Sequence, residues 1–579
     1  MKPGSATRDQ DARATRATPW PGERWLPTTL ARRPLLALCL LAATLLLWNL
    51  AGYGLWESTE ARYAEIAARM VRSGDWLTPR LNFIAHFEKP PLAYWMSALG
   101  MTLLGENELG ARIGLVAAAL ATLAIVYRWS EAAEGRAAAL FAFLSLLSAP
   151  LFFALSRSVT TDLYLTLCVV ATADAARRGT RPRGSRAWRL AAWAALGAGF
   201  LAKGHVVLLW TALPALGWVA WSGEWSRLRR LIDPVGIGIA LALVLPWFAL
   251  QIQRHPGLVD FWLGRQTTGR VLHAVDGETE PWWNPLRTLA WSGGPWTVPA
   301  AIELWRRRGK HPYEAAWIVA PLVAFSLFPT KRANYLLPLL PPLAMASGAW
   351  WGRAVEHLRG MAMVRVLAAL SAAAGAGLLA ATFTVEVPDP LPALGPTLGP
   401  AFLLGGLAAW LAAGRWRFDL AFAALVTPLL GLYVAGFTAL GHPAVERWFK
   451  ISRPLARTAA VHHRAGAPIV AFHDWPRAFP FYLDERVVTV TNEGRVTQFE
   501  EGDEWRNYVF TDEQAVARFA DAPGALFFLP RDQRDRLEAF LGHPVIPVAE
   551  TRRHLLAAQP AGSLSGRPSA IAPPGRRAR

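Results

Sequence analysis

Apolar runs of about 20 residues recur along most of this chain, and nothing else restricts its fold as much. A helix that long crosses the hydrocarbon core of a bilayer, because every backbone polar group must be satisfied within the segment. Only 18% of the residues are charged, against the quarter usual in soluble domains, and 53% are hydrophobic, with 28 tryptophans. The chain is therefore a polytopic membrane protein, mainly α-helical.

Thirteen spans follow from the hydropathy pattern: about 34–55, 110–128, 137–155, 159–176, 188–202, 204–221, 233–253, 285–305, 313–329, 334–352, 363–383, 397–413 and 417–438. The first is too long for a signal-peptide core and lacks a clear small-residue cleavage site, so an uncleaved span is expected. Charge tests the count. Basic clusters fall in the N-terminal tail 1–33 and after spans four, six, eight, ten and twelve. All lie on one side, which the positive-inside rule makes cytoplasmic. The net charge of +18 sits in these short loops, which argues against nucleic acid as the partner. Cys39 and Cys168 lie within apolar runs and are expected as buried hydrophobes.

The opposite face receives a long first loop, 56–109. Apolar residues at helical spacing in 59–73 and 91–104 predict two helices lying along the membrane surface. The transmembrane domain ends near 440. From about 445 to 557, strand-like runs (467–472, 486–490, 524–529, 544–548) alternate with helical patterns at 453–465, 512–521 and 531–541. This alternation predicts a small extracytoplasmic α/β domain. The Pro-, Gly-, Ser- and Arg-rich tail 558–579 is expected to be disordered. Neither a Walker loop nor a dinucleotide fingerprint occurs.

Candidate chemistry gathers at the outer mouth. Glu57, Glu60, Arg62 and Glu65 are either the solvated face of a surface helix or a carboxylate set that orients an acceptor, takes its proton, or stabilises positive charge at an anomeric carbon. Glu88 and Lys89 are an exposed ion pair or, given Phe87, Tyr94 and Trp95, part of a shaped and partly dry pocket. Asp162 is a helix cap beside Thr160 and Thr161 or a functional acid near a span's outer end. Lys203 either snorkels or joins Arg270, Lys331 and Arg332 in a cationic cradle for phosphate, with Tyr335 as an aromatic-belt residue or a hydrogen-bond donor to it. The lone histidines His205 and His273 have no metal-ligand spacing.

Several of these segments resemble a known family: Glu60-Ala61-Arg62-Tyr63-Ala64-Glu65-Ile66, Ser73-Gly74-Asp75-Trp76, Phe87-Glu88-Lys89-Pro90, Phe200-Leu201-Ala202-Lys203-Gly204 and Lys331-Arg332-Ala333-Asn334-Tyr335. Together they are similar to the 4-amino-4-deoxy-L-arabinose lipid A transferases, within the dolichyl-phosphate-mannose–protein mannosyltransferase-like group of the glycosyltransferase C superfamily. The likeness covers about residues 35–350. It implies a thirteen-span inner-membrane enzyme with an extracytoplasmic C-terminal domain. It also implies transfer of a sugar from a polyprenyl-phosphate donor to lipid A or another envelope glycan or protein acceptor on the outer face. Glu60 and Asp162, with Glu57 as a substitute carboxylate, would then be catalytic. Glu88 and Lys89 would line the centre, and Lys203 and Tyr335 would approach the donor phosphate. The chain departs from the family where it has Thr59-Glu60 in place of Asp-Glu, and Gln266 and Arg270 in place of a His–Arg element. Some relatives hold a divalent metal near the Glu-Lys-Pro block; no spacing in this chain establishes one, and no cofactor is assigned. The alternatives are a protein O-mannosyltransferase-like enzyme and a lipid-linked-sugar transporter. A transporter should carry ionisable groups at mid-depth and inverted repeats, which this chain lacks.

Overall fold

A computed structural model describes residues 33–57, 59–264, 280–307, 312–329, 331–449, 451–491, 508–519 and 522–560. The N-terminal tail, Arg270 and the C-terminal tail lie outside them. Five helices are long and apolar enough to cross a membrane: Glu108–Leu147, Pro234–Arg254, Met361–Thr384, Leu391–Gly414 and Phe418–Leu440. Shorter apolar helices (Pro34–Leu47, Leu92–Leu104, Val206–Ser222 and Pro312–Leu327) pack among them. Their outer faces carry leucine and valine (Leu40, Leu216, Val235, Leu245, Val366 and Leu404 are exposed), the arrangement a lipid solvent demands.

The 40-residue helix Glu108–Leu147 would be about 60 Å long if straight, twice the thickness of a hydrocarbon core. It breaks at Gly135, where φ is 89°, a left-handed conformation that favours glycine. The expected spans 110–128 and 137–155 fall on either side of this break, the second of them divided between the end of this helix and the short helix Pro150–Leu155. Close helix contacts rest on small residues. A Cβ on Gly348 would lie 2.4 Å from the Ala138 carbonyl oxygen, and one on Gly375 would lie 2.6 Å from that of Gly399.

The predicted helical segments of the first loop form as Thr59–Ser73 and Leu92–Leu104. Between them a short hairpin pairs β1 (Arg80–Leu81) with β2 (Ile84–Ala85). Beyond residue 468 comes one six-stranded sheet made of β3 (Ile469–Phe472), β4 (Val487–Val490), β5 (Val509–Phe510), β6 (Leu526–Pro530), β7 (Ile546–Glu550) and β8 (His554–Ala558). Its order is β5-β4-β3-β6-β8-β7. The first four neighbours run parallel, and β8 and β7 are antiparallel additions. Helices cover both faces, so the central strands are continuously apolar. Val470, Phe472 and Phe527 pack against one layer, and Ile469, Ala471 and Phe528 against the other.

Polar ties lock this sheet to the Thr59–Ser73 region. Asn82 exchanges two hydrogen bonds with the Val487 backbone, at 2.7 and 2.9 Å. Arg69 reaches Asp484 at 2.9 Å, and Arg72 donates to Asp484 and to the carbonyls of Pro480 and Phe481. Arg453 joins Glu446, Glu108 and the Gly52 carbonyl.

Candidate active site

Glu60 lies in the first turn of the Thr59–Ser73 helix, with a fully buried side chain. Arg112, equally buried, meets it with a two-pronged pair of bonds, each 2.9 Å. The carboxylate also accepts from the backbone N–H groups of Trp56 and Val159, both at 3.0 Å. The rest of the Arg112 fork goes to the carbonyls of Leu50, Tyr53 and Gly54. All five guanidinium hydrogens and both carboxylate oxygens are thus used, the condition under which a buried pair is tolerated. Composition gives no sign of Arg112's role: it sits at the start of an apolar helix, one turn after Glu108, and the Glu60 it engages is 52 residues away. The acid expected to touch substrate is enclosed, and it holds the turn that leads to residue 161.

That turn is pinned from other sides as well. Arg157 donates to the carbonyls of Leu45, Leu46 and Trp48, and Tyr53 donates to the Arg157 carbonyl at 3.0 Å. From it the helix Thr161–Gly179 starts, with Asp162 in its first turn. The Thr160 side chain makes no capping bond. The Asp162 carboxylate instead reaches other helices. It pairs with Lys203 Nζ and accepts from Asn334 Nδ2 at 2.8 Å. The Asp162 carboxylate is thus engaged by side chains of other segments. Lys203 ends the helix Arg186–Lys203, and its ammonium also stands 4.6 Å above the Tyr335 ring, a cation–π distance. Four residues from three separate segments therefore meet here. Asn334 belonged to the motif around Tyr335 but was not singled out in the sequence.

A second group lies alongside. Arg62 pairs with Glu88 at 2.7 Å, and His86 Nε2 comes within 3.9 Å of the same carboxylate. Tyr63 stacks on Tyr94 at 5.3 Å, and its hydroxyl lies by Thr161, next to Asp162. Burial, with lesser contributions from Asp162 and Glu88, pushes the Tyr63 phenol up to about 12. Burial lowers His86 to about 4, reinforced by Arg62, Arg477 and Lys89. It is therefore neutral at pH 7. Arg477, from the C-terminal region, is also pushed down, by burial first and then by Arg62. Buried atoms around this group have no protein partner: Arg62 Nε, His86 Nε2, Tyr94 Oη and Arg477 Nε. Orphans gathered in one place have the character of a binding site, since each costs free energy when empty.

Two expected members lie elsewhere. Glu57 faces the C-terminal region, accepting from Ser452 Oγ at 2.7 Å and from the backbone of Arg477 and Ala478. Lys331 turns to the carbonyls of Glu280 and Phe328, away from Asp162. With Arg332 it lines a small hollow beside Pro285 and Phe325. The expected convergence of all the acids and cations on one cavity thus divides into a closed Glu60–Arg112 knot, a centre at Asp162 and Lys203 beside Arg62 and Glu88, and two outlying anchors. As for a metal, no three His, Cys, Asp or Glu side chains converge among the described residues. His86 and Glu88 alone fall short of a ligand set, and Arg62 already engages Glu88.

Residues 88–249 match the family profile of dolichyl-phosphate-mannose-protein mannosyltransferase. An undecaprenyl phosphate-α-4-amino-4-deoxy-L-arabinose arabinosyl transferase of Pseudomonas aeruginosa is 31% identical over 425 residues, covering 70% of this chain and 75% of that protein. The enzyme of the same name from Pseudomonas paraeruginosa is 31% identical, covering 66% and 71%. Among solved structures, apo ArnT from Cupriavidus metallidurans superposes with a TM-score of 0.77 at 23% identity, over 93% of this chain and all of that one. The same protein bound to undecaprenyl phosphate gives 0.77 at 22% identity, over 94% and 100%. The chain belongs to the undecaprenyl phosphate-aminoarabinose arabinosyl transferase family and is a multi-pass membrane glycosyltransferase that uses a polyprenyl-phosphate sugar donor.

Proposed function

We propose that this enzyme moves 4-amino-4-deoxy-L-arabinose or a closely related sugar from undecaprenyl phosphate to a phosphate of lipid A, at the outer face of the inner membrane. In the orientation that goes with this reading, the chain crosses thirteen times, the basic N-terminal tail is cytoplasmic, and the C-terminal sheet lies outside. The break at Gly135, and the apolar helices too short to count alone, support that topology.

The observation that carries the proposal is the meeting of Lys203, Asp162, Asn334 and Tyr335 beside the Arg62–Glu88 pair. The donor leaves as a phosphate monoester. Catalysis therefore needs fixed positive charge where the negative charge develops, and Lys203 supplies it. Asp162, itself held by the Asn334 amide, positions the ammonium, so little reorganisation accompanies bond breaking. As the C1–O bond to phosphate opens, the sugar becomes cationic in character. The Asp162 and Glu88 carboxylates face that charge. Lys89, Arg332 and Arg270 supply further positive charge to the anionic substrates.

The acceptor class follows from what is closed. A hydroxyl acceptor needs a base, and the two carboxylates best placed in sequence for that work are occupied: Glu60 by Arg112 and two backbone N–H groups, Glu57 by the C-terminal region. An anionic phosphate attacks without losing a proton. The packing thus favours a phosphate acceptor over a protein hydroxyl.

Purified protein given labelled undecaprenyl-phosphate aminoarabinose and lipid A should transfer label, and a Lys203→Ala variant with unchanged melting should not. Full activity of that variant would remove Lys203 from the mechanism. Transfer to serine-bearing peptide in place of lipid A would replace the acceptor assignment.

A further inference from the structure

The helix Thr161–Gly179 carries Asp162 at one end, and its other end borders a second cavity. Fifteen residues separate Asp162 from Arg177, about 22 Å along a helix. The cavity has a volume of about 650 Å³, within the range of small-molecule sites. Small side chains create it: Ala173, Ala176, Ala192, Ala212 and Ala215 stand where larger residues would close the bundle. Trp129, Trp218 and Tyr313 form aromatic walls, and Leu196 and Leu208 continue them; Leu208 is half exposed, so the apolar end reaches the outside of the bundle.

Its rim is cationic. Arg177, Arg181 and Arg227 line it. Arg177 lies over the Trp129 ring at 4.7 Å, and Arg227 over Trp218 at 5.4 Å. Planar guanidinium groups held on aromatic faces are well placed to fork onto a phosphate. Asp174 is shared by Arg177 and Arg178, so of the three arginines of residues 177–181 two meet this carboxylate and Arg181 does not. Arg227 has an exposed pair with Glu224, and Glu314 lines the cavity near Arg177 and Trp129. Arg181 is exposed and enters no ion pair among the described residues. Partial burial first, and then the proximity of Arg177, Arg178 and Arg227, pushes it below its ordinary value. Three crowded arginines invite an anion.

We propose that this cavity binds one anionic phospholipid of the arginine-rich, cytoplasmic leaflet, its phosphate against Arg177, Arg181 and Arg227 and the start of an acyl chain along Leu196, Leu208 and Trp218. An apolar pocket with a basic rim between spans at this depth suits a phosphodiester headgroup better than a soluble anion. Because its walls include the helices that present Asp162 and Lys203, an occupant would brace the same two helices that carry the reaction centre. The site is separate from the transfer reading and stands or falls without it.

Delipidated full-length protein can be titrated with phosphatidylglycerol, phosphatidylcholine and inorganic phosphate, with retained lipid counted by native mass spectrometry. Phosphatidylglycerol should be retained at least about tenfold better than phosphatidylcholine, a difference of about 1.4 kcal/mol. Arg181→Gln, an exposed change that leaves the fold intact, should lower retention several-fold, and adding Arg227→Gln should bring it to the phosphatidylcholine level. Ala215→Phe keeps every arginine but fills the apolar part, and should also abolish selective retention. Undiminished phosphatidylglycerol retention in the double arginine variant, or in folded Ala215→Phe, would overturn the proposal. Displacement of the lipid by inorganic phosphate at equal concentration would overturn it in favour of a free-anion site.

Discussion

Glu60 and Asp162 are both buried carboxylates in the first turn of a helix, and one backbone link, Val159 N–H to Glu60, lies between them. Their surroundings differ. Around Glu60 every oxygen is met by a rigid donor: a buried guanidinium fork and two backbone N–H groups. Around Asp162 the partners are two side chains from other helices, Lys203 and Asn334, with the Tyr335 ring beside them. The first arrangement fixes backbone. The second sets an ammonium and an amide from other segments against the carboxylate, and under the proposed function a donor phosphate would compete for that ammonium. A carboxylate's role thus depends on whether its partners have other work, and resemblance alone ranks the two acids equally.

Breaking the closed knot should have the largest effect. Arg112→Ala leaves the Glu60 charge buried and unpaired and three carbonyls bare, a loss of about 3–5 kcal/mol, read as failure to purify a folded monomer. Next comes the open centre. Lys203→Ala should reduce transfer by about two orders of magnitude or more with melting near that of the parent. A smaller effect belongs to the neighbouring pair. Glu88→Gln keeps the shape but halves the charge pairing with Arg62, and should raise the donor KM by about tenfold, roughly 1.4 kcal/mol, in steady-state assays.

The smallest effect sharpens the comparison through pH. Glu65, on the same helix as Glu60, lacks such a knot. Arg69 stands 3.7 Å away, the Asn82 N–H donates at 3.3 Å, and burial pushes the carboxyl up to about 8. In the folded state it holds its proton at pH values where the unfolded chain, with an ordinary carboxyl near 4.5, has lost it. Its contribution is therefore fully present below about 4.5 and is lost as pH rises through 8. Glu65→Gln should melt like the parent at pH 5 and above it, by a few degrees, at pH 9. Identical curves at both pH values would mean that the Arg69 pairing outweighs burial.

Much of this architecture is legible in sequence because the bilayer imposes it. Runs of about 20 apolar residues and one-sided arginine clusters need no tertiary information. The Thr59–Ser73 helix is legible from the spacing of Ala61, Ala64, Ala67 and Met70, all buried. Strands β3, β4, β6 and β7 fall on the apolar runs that predict them, whereas β5 and β8 escape notice. The first is two residues long, and the second reads as the beginning of a polar tail. What the sequence cannot weigh is who holds whom across hundreds of residues. Arg112 is silent until Glu60 is seen against it. The motifs group Lys331 with Lys203, yet the Lys331 side chain satisfies the carbonyls of Glu280 and Phe328. The choice between cap and functional acid at Asp162 turns on Asn334, 172 residues away.

We propose that Asp162 takes part in transfer, whereas Glu60 acts by holding structure. Single-turnover transfer per folded molecule, measured on Asp162→Asn and Glu60→Gln beside their melting curves, separates the two. The account predicts at least a hundredfold loss with unchanged melting for Asp162→Asn, and a lowered melting temperature with near-parental transfer per folded molecule for Glu60→Gln. An Asp162→Asn enzyme that still transfers, with a stable but inactive Glu60→Gln enzyme, would contradict it.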